Sequence, residues 1–182
     1  MRRLFIVTVI ALAVAAGAPV AASADTGQHP AITITSDSQF TAPGSKLGGC
    51  QCVTAGDGST GNPYVIGPWA IKVPSGVTSG WAIKVDNSGG GVTRSFTISG
   101  IAANYSGVQP PDPVIWLVDV NNANGTTISN VSANEDGRGV ELDYSSYINL
   151  DQLSFNKMNG TGLYIMGSPT APASYIKLSN SK

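Results

Sequence analysis

Phe96-Thr97-Ile98-Ser99-Gly100-Ile101-Ala102-Ala103-Asn104 returns, altered, as Thr127-Ile128-Ser129-Asn130-Val131-Ser132-Ala133-Asn134 and as Asn149-Leu150-Asp151-Gln152-Leu153-Ser154-Phe155-Asn156. Each version sets a second aliphatic residue three positions after the first and an Asn six positions after it: Ile98/Ile101/Asn104, Ile128/Val131/Asn134 and Leu150/Leu153/Asn156. A fourth version starts at Tyr175-Ile176-Lys177-Leu178. Ahead of each runs a second short β-prone stretch: Trp81-Ala82-Ile83-Lys84-Val85, then the segments around Val118, Leu142 and Ile165. A basic period of about 22 residues, lengthened where Gly and Pro cluster, is the signature of a repeat architecture.

Short strands between Gly, Asn and Ser turns exclude helical repeats, and the dense Leu pattern of leucine-rich repeats is missing. The fold expected is all-β, a parallel β-helix in which each strand pairs with its equivalent one winding along at about 4.8 Å. Asn104, Asn134 and Asn156 are expected to form a structural corner, since Asn tolerates left-handed backbone angles and stacked amides can bond from winding to winding. Trp69-Ala70-Ile71-Lys72-Val73 and Trp81-Ala82-Ile83-Lys84-Val85 stand only twelve residues apart. They read as successive sides of one winding.

Arg2 and Arg3, an apolar run over residues 4–14 and Ala22-Ser23-Ala24 fit a secretory signal peptide over residues 1–24. The run falls short of the roughly 20 residues of a membrane span, so cleavage and a secreted or periplasmic location are expected, with no membrane attachment afterwards. Cleavage would leave eight basic against eleven acidic residues, a formal charge of −3. With no basic patch, nucleic acid is excluded as a partner. Residues 25–60 read as an N-terminal cap, residues 25–28 as a frayed terminus, and residues 61–182 as about four windings. The last lacks its Asn and a cap, so the chain reads as truncated at its C-terminal end, with end-to-end self-association as one consequence.

Gly56-Asp57-Gly58-Ser59-Thr60-Gly61-Asn62-Pro63-Tyr64-Val65-Ile66-Gly67-Pro68-Trp69-Ala70-Ile71, with the Phe96-Thr97-Ile98-Ser99-Gly100 repeat, resembles the opening of right-handed parallel β-helix proteins of the pectin-lyase-like superfold, and within it the NosD-like periplasmic group. That resemblance implies a right-handed helix. It implies little about activity, because the superfold hosts lyases, hydrolases, adhesins and non-catalytic modules.

If Val85, Val118 and Leu142 are equivalent inward positions, Asp86, Asp119 and Asp143 stack on successive windings. Like charges at that spacing repel by about 0.9 kcal/mol per pair in water, and Ca²⁺ would reverse the penalty. The alternative is a solvated face neutralised by Lys84, Arg94 or Arg138. Cys50-Gln51-Cys52 is either one disulfide or inert thiols, or a Cu(I) site of the kind that the NosD-like resemblance implies, with His29, Met158 and Met166 as further donors. A single His outside the leader leaves no triad. Glu135-Asp136 or Asp119 with Asp143 are the carboxylate pairs a hydrolase would need. Trp116 and Tyr164 are candidate sugar-stacking rings. Four Asn-x-Ser/Thr sites, at Asn104, Asn124, Asn130 and Asn159, match the glycosylation sequon and equally the composition of solenoid corners. The reading is a secreted, non-catalytic module binding glycans or assembling at a surface. A polysaccharide lyase or hydrolase, and a periplasmic copper protein, stand as alternatives.

Overall fold

The computed structural model describes residues 27–72, 79–104, 114–134, 137–158 and 160–182. The leader (1–24), the joint at residues 74–76, the Pro-rich insertion at 109–113, Glu135-Asp136 and Asn159 lie outside the described residues. The protein is all-β, built of stacked, mostly parallel sheets consistent with a β-solenoid. The first sheet has eight strands. Its main path runs β1 (Gln28–His29), β5 (Trp69–Lys72), β7 (Phe96–Asn104), β9 (Thr127–Asn134), β11 (Asn149–Asn156) and β13 (Lys177–Ser179); β4 (Tyr64–Ile66) also pairs with β7, and β3 (Val53–Ala55) pairs antiparallel with β4. The second sheet runs β2 (Ile32–Ile34), β6 (Ser79–Asp86), β8 (Val114–Asn121), β10 (Arg138–Asp143) and β12 (Leu163–Met166). From β5 onward the chain alternates between the sheets. The two Trp-Ala-Ile-Lys copies accordingly sit on different sides, β5 in the first sheet and β6 in the second.

The spacing of three between aliphatic residues has a backbone cause. In an unbroken strand, residues three apart face opposite ways. Here the residue before the second aliphatic takes a left-handed conformation: Gly100 (φ 70°), Asn130 (φ 51°) and Gln152 (φ 54°). That one residue resets the alternation, so Ile98 and Ile101, Ile128 and Val131, Leu150 and Leu153 all enter the core. Parallel register stacks Ile66, Ile98, Ile128 and Leu150 in one row, and Ile101, Val131 and Leu153 in another. The second sheet supplies Ile83, Val118 and Val140, then Val85, Val120 and Leu142. Burying one such side chain contributes about 1.5–3 kcal/mol.

Asn104, Asn134 and Asn156 do lie side by side in register. They keep ordinary negative φ, and Asn134 and Asn156 are exposed. The left-handed corner expected of them lies four residues earlier, inside the aliphatic triplet. Of the start expected to be frayed, residues 25–26 lie outside the described residues, and its last residue, Gln28, pairs with Ala70; the next, His29, pairs with Ile71 and packs its ring on Trp69 at 4.9 Å.

Candidate functional site

The outer face of the second sheet carries the chemistry. In each central strand two consecutive residues lie on the core side, Ala82-Ile83, Leu117-Val118 and Gly139-Val140, although in β8 the whole run 116–120 is buried. The residues that flank these pairs therefore line the outer face together, and Trp116 and Asp119 among them are themselves covered. Trp81, Trp116 and Arg138 form one row across the strands. Lys84, Asp119, Glu141 and Tyr164 form the next, and Asp86, Asn121, Asp143 and Met166 the third.

Asp119 is therefore not in line with Asp86 and Asp143, as the repeat alignment expected. Asn121 stands between those two, and Asp119 lies two residues earlier beside Lys84 and Glu141. The cause is local: Val118-Asp119-Val120 offers two inward valines, and Val120, not Val118, is level with Val85 and Leu142. Aligned on Val120, the sequence would have shown ionisable residues at Lys84, Asp119 and Glu141 in three successive repeats.

Lys84 Nζ lies 2.9 Å from Asp119 Oδ2 and 3.6 Å from Asp86 Oδ2, and 4.5 Å from the centre of the Trp81 ring. One oxygen from each of Asp119, Glu141 and Asp143 lies within 4.8 Å of the others. Asp119 is only 5 % exposed. Burial raises its pKa, and the hydrogen bond and charge of Lys84 do not fully offset that. Burial and the neighbouring Asp143 and Asp119 push Glu141 up to about 7. Asp143 is raised by burial and by Asp119. Asp86 goes the other way: burial would raise it, but hydrogen bonds from Ser88 and the Lys84 charge outweigh burial and lower it. Burial alone would lower Lys84, yet its bond to Asp119 and the charges of Asp119 and Asp86 hold it above the usual lysine range. Both members of the Lys84–Asp119 pair are thus raised. Burial, which penalises the Asp119 charge, is the reason the acid does not fall.

Three aromatic rings border these carboxylates. Trp81 is 37 % exposed and its indole N–H donates to Thr33 Oγ1 at 2.9 Å. Tyr164 is 42 % exposed. Trp116 is buried outside the hydrophobic core, against Tyr164 (6.1 Å between ring centres) and under the Arg138 guanidinium at 5.2 Å. Of the two rings singled out from the sequence, Tyr164 is therefore presented to solvent and Trp116 supports it. A second exposed aromatic pair, Tyr147 and Tyr175, stacks at 4.6 Å on a corner.

A groove of about 530 Å³ lies on the first sheet. Thr54, Ser99, Asn130, Ser132, Gln152 and Ser154 line it with hydroxyls and amides, and among the described residues none of its lining is titratable. A smaller apolar hollow lies between Leu153, Phe155, Leu163 and Leu178, beside the exposed Ile165. Cys50 and Cys52 are joined to each other, so neither offers a thiolate in this state. Trp69 donates to the Cys52 carbonyl at 2.8 Å. His29 Nδ1 bonds the Pro30 carbonyl. Comparison with family models, with curated proteins and with solved structures finds no match.

Proposed function

We propose that this chain is an extracytoplasmic, non-catalytic module of the right-handed, pectin-lyase-like β-helix kind, which binds a glycan on the outer face of the second sheet. The observation that carries the reading is the pairing of exposed rings with carboxylates on one flat face. Trp81 and Tyr164 stand on strands three apart, about 14 Å across the sheet at the usual strand spacing, and in neighbouring rows along it. Carboxylates between them accept hydrogen bonds from sugar hydroxyls, and ring faces take the apolar side of a pyranose. A glycan array with the mature chain tests it. Binding is expected to fall about tenfold or more in both Trp81→Ala and Tyr164→Ala. Binding that survives both changes but is lost in Asn130→Ala would move the site to the first-sheet groove and overturn the assignment.

One observation favours an enzyme as the second reading. Glu141 holds its proton to about pH 7 beside two other carboxyls, as a general acid would. Release of reducing or unsaturated ends from a bound polysaccharide, lost in Glu141→Gln, would make it the better account. Surface assembly belongs to the leading reading too: the apolar strand rims at Ile165 and Leu178 suit edge-to-edge contact, and sedimentation across a concentration series reports it.

A further inference from the structure

We infer that the acidic end of the second sheet's outer face binds a hard divalent cation of the calcium class, with Asp119, Asn121, Glu141 and Asp143 as ligands. The inference stands apart from the glycan reading, because it rests on what three of these four side chains lack and on how the carboxylates cluster. Among the described residues, the buried side-chain polar atoms without a hydrogen-bond partner are Asp119 Oδ1, Asn121 Oδ1 and Asp143 Oδ1. All three are acceptors. Asn121 lies beside Asp143 in the same row, and Asp119 is two residues earlier on the strand of Asn121. A buried acceptor left unpaired is costly, so three on adjacent positions of two paired strands call for something positive beside them.

Protein cations do not fill that need. Lys84 is spent on Asp119 Oδ2 and Asp86, which leaves Asp119 Oδ1 open, and Arg138 lies over Trp116. The spacing suits a metal. Two oxygens each about 2.4 Å from one ion are at most about 4.8 Å apart, and the three carboxylate oxygens fall within 4.8 Å of one another. The donors are all oxygen, one of them a neutral amide. That set favours Ca²⁺, with its flexible six to eight ligands, over Mg²⁺, which keeps its waters, and over metals that prefer sulfur or imidazole. Asp86 is left out, since Lys84 and Ser88 already bond it.

The competing occupant is a proton. At neutral pH a protonated Glu141 can donate to a neighbouring carboxylate and quiet the cluster without metal. Titration of the mature chain at pH 8 separates the two. Ca²⁺ is expected to bind one to one by calorimetry, and Tb³⁺ to luminesce on excitation of the nearby Trp116 and Trp81 and to be displaced by Ca²⁺. Glu141→Gln and Asn121→Leu should each weaken Ca²⁺ at least tenfold while keeping the wild-type circular dichroism. Should either fail to fold, Asp143→Asn is read by the same measure. Affinity should drop several-fold between pH 8 and pH 6. No heat and no sensitised luminescence at millimolar Ca²⁺, or equal affinity in the folded variants, would overturn the site. Failure of the glycan array alone would not touch it.

Discussion

Gln152 holds φ 54°, equivalent to Asn130 one repeat earlier and Gly100 two repeats earlier. Left-handed backbone costs an ordinary L-residue about 1–2 kcal/mol, and Asn less. Gln152→Asn should therefore leave stability unchanged or slightly higher, while Gln152→Val should lower it by about 1–2 kcal/mol, both measured by chemical denaturation. Gly139 answers to a different constraint. A Cβ there would lie 1.9 Å from the Gly162 carbonyl oxygen, and backbone cannot withdraw as a side chain can. Gly139→Ala is expected to disrupt the β10–β12 pairing, seen as lost amide protection over residues 163–166. Asp37 ties the N-terminal segment to the approach of β7, accepting from the Thr93 and Arg94 amides and the Thr93 hydroxyl. Burial would raise its pKa, but these bonds outweigh burial and lower it. Its contribution is present above the ordinary Asp range and is lost as pH falls through the depressed value.

At the scale of strands, the Lys84–Asp119–Glu141 row gives the opposite pH dependence. Glu141 is raised from 4.5 to about 7, so between those values the folded protein binds more protons than the unfolded one. Stability from this group therefore falls as pH rises from about 4.5 to 7, and the raised Asp119 and Asp143 act in the same sense. Without metal, the melting temperature is expected to rise from pH 8 towards pH 5 and to fall again in acid, as pH drops below the ordinary Asp range towards the depressed value of Asp37. Glu141→Gln should flatten the upper limb and leave the acid limb alone; an unchanged upper limb would remove Glu141 as its source. The sequence made part of this row legible. Lys84 was one of three cations, with Arg94 and Arg138, readable as neutralisers of the acidic face, and it is the one that lies against Asp119 and Asp86. The register was not, since a Val-Asp-Val strand fits the core in either of two frames, and only pairing with Val85 and Leu142 selects between them. Glu141 and Asn121 were hidden by that two-residue ambiguity, because no composition or motif marks them.

Across the whole molecule, the core consists of apolar rows running perpendicular to the strands and shared by two sheets. Periodicity made the first sheet readable: Ile98, Ile128 and Leu150 align as their spacing implies, because a deep apolar position in every repeat tolerates no slip. Removing one middle member, Ile128→Ala, should cost about 2–5 kcal/mol, since neighbours above and below hold the cavity open. The N-terminal segment was less legible. The alternation over residues 31–35 marks β2, but β1, two residues long, is too short for periodicity to signal, and nothing local shows that the two extend different sheets.

Every assignment on the functional face depends on Asp119 lying level with Glu141. Paired cysteines read that register directly. Asp119→Cys with Glu141→Cys puts the two thiols on adjacent strands at directly paired positions, within the reach of a disulfide, whereas Asp119→Cys with Asp143→Cys spans a diagonal of roughly 8 Å, beyond it. After mild oxidation and peptide mapping, the first pair should crosslink within the chain and the second should not. A crosslink in the second pair and none in the first would put Asp119 beside Asp143, and would contradict the cation site and the face built around it.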